Sequence, residues 1–119
     1  ASEGAGLGFE FLRHLSRARI LLHVVDILPA DGSNPVDNYL TIESELKKFD
    51  EGLFAKPRIL AINKVDLIEK ENHNKVINKF VKKVKYKGKA FNISALNGFG
   101  CKSLVFGLSE LIERENDEK

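Results

Sequence analysis

Two short polar motifs carry the residues of this chain that are best suited to chemistry. Asn63-Lys64-Val65-Asp66 follows the apolar run Ile59-Leu60-Ala61-Ile62, and Ser94-Ala95-Leu96 follows Ala90-Phe91-Asn92-Ile93. A carboxylate can accept two hydrogen bonds from neighbouring N–H groups on one edge of a planar ring, and such charge-assisted bidentate pairs are among the stronger hydrogen bonds. These residue types in this order therefore predict a site that reads the edge of a heterocyclic base.

Guanine is the base whose hydrogen-bonding groups fit the two motifs. It presents N1–H and its N2 amine on one edge, and Asp66 has the acceptors for both. Its O6 requires a donor, which the backbone N–H of Ala95 can supply. Asn63 can contact N7 and tie the two loops together, and the aliphatic stem of Lys64 can cover the base plane. The predicted guanine-binding residues are Asn63, Lys64, Asp66, Ser94, Ala95 and Leu96.

Within this set, Ser94 is expected to hold Asp66 in position.

N-K-x-D alone also arises by chance, and the alternative is a surface turn in which Asn63 and Asp66 act as cap and turn residues. Its place after an apolar strand, with S-A-L after the next strand, favours base recognition.

Apolar runs alternate along the chain with segments of helical periodicity. Strands are predicted over residues 20–25, 58–62 and 90–93, and helices over 9–17, from Pro35 onward, over 74–84 and over 102–114, with a break at 52–57. This order predicts an α/β fold in which about three parallel strands are joined by crossover helices. Ligands bind beyond the carboxyl ends of such strands, so the two motifs should converge on one pocket.

Two of the predicted helices have clear apolar faces. The helix over 74–84 should turn Val76, Ile77, Phe80, Val81 and Val84 toward the core. The helix over 102–114 should turn Leu104, Val105, Leu108, Leu111 and Ile112 inward.

Composition sets further bounds on the class of protein. The chain has 119 residues, 43% of them hydrophobic and 30% charged, with a formal charge of +2, as expected of one domain or part of one. Its single Cys101 excludes an internal disulfide and favours a reducing compartment, which predicts a cytoplasmic location. No apolar run is long enough to span a membrane, and no membrane partner is expected. The start without Met suggests an excised piece.

The flanks of the motifs resemble Obg-family GTPases. The similar segments are Ala1-Ser2-Glu3-Gly4-Ala5-Gly6-Leu7-Gly8, Phe11-Leu12-Arg13-His14-Leu15, Leu21-Leu22-His23-Val24-Val25-Asp26, Asn34-Pro35-Val36-Asp37-Asn38-Tyr39, Ile42-Glu43-Ser44-Glu45-Leu46 and Lys56-Pro57-Arg58. The resemblance implies a three-layer P-loop GTPase fold, Mg²⁺-dependent GTP hydrolysis and a role in large ribosomal subunit assembly. Phe9 departs from the family's His, and Leu96 stands where many other GTPases have Lys.

The resemblance also implies that this chain is a partial G domain. No G-x-x-x-x-G-K-S/T phosphate loop occurs in it. The family's phosphate loop, magnesium-binding Thr, D-x-P-G Asp and glycine-rich domain would all precede Ala1. Residues 1–119 should then run from the switch II segment around Gly4, Gly6 and Gly8 to the last helix, without ligands for Mg²⁺. The chain alone is expected to be inactive, and strand 20–25, having lost a neighbour, should favour self-association through its edge.

A run of lysines supports a second hypothesis. Lys75, Lys79, Lys82, Lys83, Lys85, Lys87 and Lys89 lie in a stretch without acids. Such clusters can neutralise phosphates, so the chain could be a basic RNA- or ribosome-binding module without a nucleotide role, although a solvated helix face is the simpler explanation of the run. A folded fragment without a function of its own is a third interpretation.

Three other features have simpler explanations. Gly100-Cys101-Lys102-Ser103 resembles the end of a phosphate loop, but a loop followed by a helix start accounts for it. Cys101 could be paired with His14, His23 or His73 in a nucleophilic or metal site, yet nothing in their spacing supports one. Asp26 ends a strand and is expected to be a loop or cap residue more than a catalytic acid.

Overall fold

The computed structural model describes residues 7–117. Gly4 and Gly6 of the predicted switch segment therefore lie outside the described part, as do Glu118 and Lys119. In chain order the elements are α1 (Phe9–Leu15), β1 (Leu21–Asp26), α2 (Pro35–Phe49), α3 (Glu51–Phe54), β2 (Arg58–Asn63), α4 (His73–Val84), β3 (Ala90–Asn92) and α5 (Cys101–Asp117). Two single-turn 3₁₀ helices, Val65–Leu67 and Lys70–Asn72, lie between β2 and α4.

The three strands form one parallel sheet in the order β1-β2-β3. Leu21 pairs with Arg58 and Asp26 with Asn63, so β1 and β2 end level with each other. Ile62 pairs with Asn92 at the end of β3. The predicted α/β class and the parallel sheet are confirmed, and the strands that precede the two motifs, β2 and β3, lie next to each other.

One face of the sheet packs against α2 and α4. Leu60 and Ile62 of β2 lie in a buried cluster with Tyr39 of α2 and with Ile77 and Phe80 of α4. Val84 is buried in the same cluster, and Val76 and Val81 pack at its margin. The predicted inward face of α4 is therefore confirmed. Its pattern is readable from sequence because the whole apolar stripe lies against other elements.

The opposite face packs against α5, but along a narrower stripe than predicted. Leu104 is buried on Ile59, Ala61 and Ile93, with Leu108 and Leu111 packed alongside. The inward placement predicted for Val105 and Ile112 is wrong, because their side chains are 61% and 48% exposed. The stripe that does touch the sheet has spacings of four and three residues, which is the width that one helix presents to a flat surface.

The edge strand β1 is only half covered. Leu21 and Val25 are buried toward the helices on one side. Leu22 and Val24 point to the other side and are 43% and 49% exposed. The outer backbone edge of β1 pairs with no other strand of residues 7–117, and together with these side chains it forms an open apolar border of the sheet.

Local capping fixes several helix bounds. Asn34 precedes Pro35, and its Oδ1 accepts hydrogen bonds from Val36 N at 2.8 Å and Asp37 N at 3.3 Å. The predicted break at 52–57 overlaps the short helix α3, which extends to Phe54. Asp50 caps α3 by accepting a hydrogen bond from Gly52 N at 3.1 Å. Side-chain caps satisfy N–H groups that lack a partner within the helix, which explains why these helices begin where they do.

Candidate functional site

The two predicted motifs meet at the carboxyl edge of the sheet. Asp26 and Asn63 are the last residues of β1 and β2 and are paired in register. β3 ends at Asn92, and the Ser94-Ala95-Leu96 loop follows after Ile93. Parallel strands place their carboxyl ends together, so the fold brings the polar residues of three strands to one border.

The side chain of Asn63 joins all three strand ends. Its Nδ2 donates a hydrogen bond to Asp26 Oδ1 at 3.0 Å. Its Oδ1 accepts a hydrogen bond from Ala95 N at 2.9 Å. The link between the two loops that the sequence predicts is present, and it extends to a third loop through Asp26. Because a carboxylate only accepts and a backbone N–H only donates, these two partners fix the orientation of the Asn63 amide.

This link engages the donor that was expected to bind O6 of guanine. Ala95 N–H points to Asn63 Oδ1 rather than remaining free. The next residue, Leu96, is 90% exposed, and its N–H has no hydrogen-bond acceptor within residues 7–117. The loop therefore leaves the N–H of Leu96 available to a ligand, whereas the N–H of Ala95 is engaged by Asn63.

Lys64 turns the chain away from the sheet in an uncommon backbone conformation. Its φ and ψ are 70° and 26°, in the left-handed region. Its Nζ lies 3.2 Å from Asp26 Oδ2, with the two side chains 30% and 41% exposed. Asp26 thus receives Asn63 on one oxygen and Lys64 on the other. The sequence pattern favours a loop or cap role for Asp26, and its position at the end of a neighbouring strand is the signal that could have identified this contact.

Asp66 follows in the 3₁₀ helix Val65–Leu67, whose first residue anchors it. Val65 is fully buried, and its N–H donates to Ile93 O at 3.2 Å. Asp66 itself is exposed. Within residues 7–117 no hydrogen bond or ion pair engages its carboxylate, so both oxygens remain available to a ligand. A fixed backbone with an uncommitted carboxylate is the arrangement that base reading requires.

Ser94 closes its own loop. It is completely buried, its N–H donates to Phe99 O at 2.9 Å, and its carbonyl accepts from Gly98 N at 2.8 Å. Its Oγ accepts from Asn97 N at 3.3 Å. The structure thus places the Ser94 hydroxyl on residue 97 rather than on Asp66 as expected, because the tight turn after Ser94 brings that N–H back to it.

Gly100 lets the loop pass close to the end of β3. Its φ is 73°, and a Cβ at this position would lie 2.1 Å from Asn92 O. Only glycine fits such an approach without moving the backbone. α5 begins at the next residue, as the loop-and-helix interpretation of this segment predicted.

A cavity of about 450 Å³ adjoins the site on the β1 side. Asp26 and Lys64 line it together with Asp31, Ser33 and Tyr39, whereas Asp66 and Ser94 do not. Hydrogen bonds from the Ser33 hydroxyl and N–H lower the pKa of Asp31. Burial, followed by the charge of Glu43, raises the pKa of Tyr39 to about 12, which keeps its phenol neutral. Of the predicted guanine-binding residues, Lys64 is the one that lines this cavity.

The described residues do not assemble a metal centre. Within residues 7–117 no three His, Cys, Asp or Glu side chains come together around one point. Both carboxylate oxygens of Asp26 already face Asn63 and Lys64. Cys101 is a free thiol 3.9 Å from Ser94 O, and His73 binds Ile68 O. These side chains thus serve the loops around them and do not fit a Mg²⁺ site by themselves.

Comparison with known sequences gives the site a context. The chain matches no protein-family model. It is 61% identical to GTPase Obg of Vesicomyosocius okutanii over 115 residues, which is 97% of this chain and 34% of that protein. It is 57% identical to GTPase Obg of Ruthia magnifica over 117 residues, or 98% of this chain and 35% of that protein. Over nearly its whole length, the chain is similar to Obg GTPases. It spans about a third of the length of these Obg relatives.

Solved structures resemble the Obg-type fold of this chain. A crystal structure of Era in complex with MgGDPNP and nucleotides 1506–1542 of 16S ribosomal RNA superposes with a TM-score of 0.61 and 25% identity. It covers 82% of this chain and 30% of the Era chain. A nucleolar GTP-binding protein 1 from Plasmodium falciparum gives a TM-score of 0.55 at 21% identity, over 83% of this chain and 50% of its own. Both are GTP-binding proteins by name or ligand, and they support the predicted P-loop GTPase fold.

Proposed function

We propose that the carboxyl edge of this sheet binds the guanine base of GTP or GDP. The observation that carries the proposal is the Asp66 carboxylate, which is exposed, free of partners within the described residues, and held on a turn anchored by buried Val65. The Obg relatives and the GTP-binding structural neighbours support the same assignment.

Each motif residue has a role in this proposal. Asp66 accepts N1–H and the N2 amine of guanine, a pairing that adenine lacks. Asn63 keeps Ala95 in place through its Oδ1 and contacts the base at N7 from the same border. Lys64 covers the base plane with its stem while its Nζ stays near Asp26. O6 is met by the backbone N–H of Leu96, since that of Ala95 is engaged by Asn63, and Ser94 holds the shape of the loop.

In a longer Obg protein we propose GTP hydrolysis to GDP and phosphate. The chain corresponds, in this proposal, to the part of a G domain from the switch II segment to the last helix. Its sequence contains no phosphate loop, and its described residues do not fit a Mg²⁺ site. Mg²⁺, which accompanies GDPNP in the Era structure, would neutralise phosphate charge and would need ligands from elsewhere in the longer protein. The chain alone should therefore be inactive.

An RNA or ribosome partner and a cytoplasmic location complete the proposal. The Era structure contains 16S ribosomal RNA, which supports an RNA partner for a related fold and a role of the longer protein in ribosome assembly. Within residues 7–117, no helix has both the length and the apolarity that crossing a membrane requires. The free thiol of Cys101 suits a reducing compartment.

Exchange of one atom in Asp66 tests the guanine site. In Asp66→Asn, the amide can donate to the C2 carbonyl of xanthine but cannot accept both guanine donors. Sites built on hydrogen bonds reject a mismatched partner by several orders of magnitude. We expect the ratio of XDP to GDP affinity to rise by at least about tenfold, since one lost charged hydrogen bond is worth roughly 1.5–3 kcal/mol. Nucleotide at millimolar concentration, added to the ¹⁵N-labelled chain, makes weak binding measurable.

A matched variant controls for the loss of charge. Asp37→Asn removes an exposed carboxylate from the first turn of α2, away from the two motifs. It should leave the XDP to GDP ratio unchanged. Wild-type shifts should concentrate at residues 63–66 and 94–97 with GDP and be absent with ADP. Equal shifts for both nucleotides, or an unchanged ratio in Asp66→Asn, would show that Asp66 does not read the base.

A further inference from the structure

A long part of the sequence contains lysines but no acids. Between Glu71 and Glu110 there is no Asp or Glu, and the lysines are Lys75, Lys79, Lys82, Lys83, Lys85, Lys87, Lys89 and Lys102. All of them are exposed. The net charge of the chain is only +2, so this segment concentrates positive charge that is balanced by acids elsewhere. A chain whose net charge is small, but whose positive charges are concentrated in one segment, has an electrostatic field that points from that segment.

On α4 the lysines form one face. Lys75, Lys79, Lys82 and Lys83 are three, four or one residue apart, opposite the buried face of Ile77, Phe80 and Val84. At a rise of about 1.5 Å per residue the face is about 12 Å long. Among residues 7–117 no acid lies within ion-pair distance of these four lysines. Their charges are therefore not neutralised within the described fold.

The cationic surface continues around the β3 edge of the sheet. Lys85 ends α4 in the left-handed conformation, with φ of 60°, and Lys87 and Lys89 lead into β3. Lys89 and Lys102 line a shallow depression of about 420 Å³ together with Phe106. Phe106 is 65% exposed, although it is a large apolar residue on a helix that buries another face. Lys89 approaches one acid, Glu110, at 3.8 Å.

We propose that this surface, from the α4 lysines to Phe106, binds single-stranded RNA. The lysines would contact successive phosphates, and the ring of Phe106 would stack on a base. Proteins that bind single strands combine a cationic track with exposed aromatic rings in this way. An acidic peptide would use the charges but not the exposed ring, so the surface fits RNA better. The inference rests on the proposed RNA partner and gives it a location, and it is independent of the guanine site.

The test compares two fourfold variants of the 119-residue chain. The first replaces Lys75, Lys79, Lys82 and Lys83 with Gln. The second, with the same change in net charge, replaces the exposed cations Arg17, Lys48, Lys70 and Arg114 with Gln. Binding of a fluorescent 12-nucleotide RNA of mixed sequence is followed by anisotropy at several salt concentrations. Polyglutamate of the same length tests whether an acidic peptide binds the surface. GDP tests the guanine site separately.

Salt dependence gives the expected magnitude. Each phosphate contact with a single strand contributes about 0.7 to the slope of log K against log salt, so four contacts contribute about 3. The slope of the α4 variant should be smaller than that of the wild type by about 3. Between 50 and 200 mM salt, the affinity of the wild type should therefore fall by a factor about fiftyfold larger than that of the α4 variant. The control variant should keep a slope close to that of the wild type. Phe106→Leu should weaken binding roughly tenfold, whereas Phe106→Tyr should not.

Several results would overturn the proposal. No RNA binding by the wild type, an equal loss of slope in both fourfold variants, or binding of polyglutamate as tight as that of RNA would each do so. GDP-induced shifts at Asp66 and Ala95 must persist in the α4 variant. Their loss would indicate a general folding defect, and urea unfolding of each variant identifies that case. If GDP shifts fail in the wild type while RNA binding follows the pattern above, the guanine assignment fails and the RNA surface stands.

Discussion

Asn63→Ala should destabilise the protein through the loss of one amide that holds three strand ends. The substitution removes the hydrogen bond from Nδ2 to Asp26 at 3.0 Å and the one from Ala95 N to Oδ1 at 2.9 Å. Hydrogen bonds to charged groups contribute about 1.5–3 kcal/mol, and neutral ones about 0.5–1.5. Ala95 is exposed, and Asp26 retains Lys64 at 3.2 Å, so both losses fall near the lower end. The expected total is about 2 kcal/mol.

Urea unfolding measures this change. A loss of about 2 kcal/mol should lower the midpoint without altering the slope, and should lower the melting temperature by about 8 °C for a chain of this size. Asn78→Ala is the matched control, since this exposed side chain lies on α4 and has no partner within the described residues. It should remain within about 0.5 kcal/mol of the wild type.

A double-mutant cycle with Asp26→Ala identifies the contact itself. If the Asn63 amide acts through Asp26, the two changes should be non-additive by about 1 kcal/mol. Loss of stability by less than 0.5 kcal/mol in Asn63→Ala, or strict additivity in the cycle, would refute the view that this amide joins the strand ends.

Three further predictions concern activity, assembly and the loop after β3. The purified chain should release no phosphate from GTP above buffer, and should bind GDP at best weakly, because most affinity in such sites comes from phosphate contacts to a glycine-rich loop; turnover in a malachite-green assay or submicromolar binding would contradict this. The chain should self-associate through the edge of β1, which sedimentation velocity at rising protein concentration would detect. Val24→Lys should suppress the association, whereas Leu40→Lys, at an exposed site on α2, should not. A wild-type chain that stays monomeric at millimolar concentration would exclude this association. Gly100→Ala should cost about 3 kcal/mol because its Cβ would lie 2.1 Å from Asn92 O, whereas Gly98→Ala, with φ of 84° but open space, should cost about 1 kcal/mol; equal losses in thermal melts would mean that the close approach has no effect.

Much of the fold is readable from the sequence, and the limits of that reading have physical causes. Continuous apolar runs predict the three strands, because a strand buried on both faces, as β2 is, needs no polar alternation. The pattern of α5 predicts burial of Val105 and Ile112, yet both are exposed. Periodicity shows which residues are apolar, but it does not show how wide a surface the helix will meet.

In the candidate site, too, some contacts are predictable from the sequence and others are not. The link between Asn63 and Ala95 is predictable because Asn63 ends β2 and Ala95 lies in the loop after the neighbouring strand β3. The contact of Asn63 with Asp26 depends on the register of β1 against β2, which no local pattern gives. The turn that closes on buried Ser94 depends on Phe99 and Gly98 returning to it, so the expected contact with Asp66 is replaced. Contacts between distant segments are the part that sequence reasoning does not supply.

The backbone of Lys64 has a consequence for how this loop tolerates change. A lysine with φ of 70° occupies a conformation that costs about 1 kcal/mol more for it than for glycine. The chain nevertheless carries a long charged side chain there, reaching Asp26. Replacement by glycine would relieve the backbone and remove the ion pair at once, so the two effects oppose each other. An unchanged melting temperature at this position would then reflect cancellation, and the contribution of the side chain would be visible only in ligand binding.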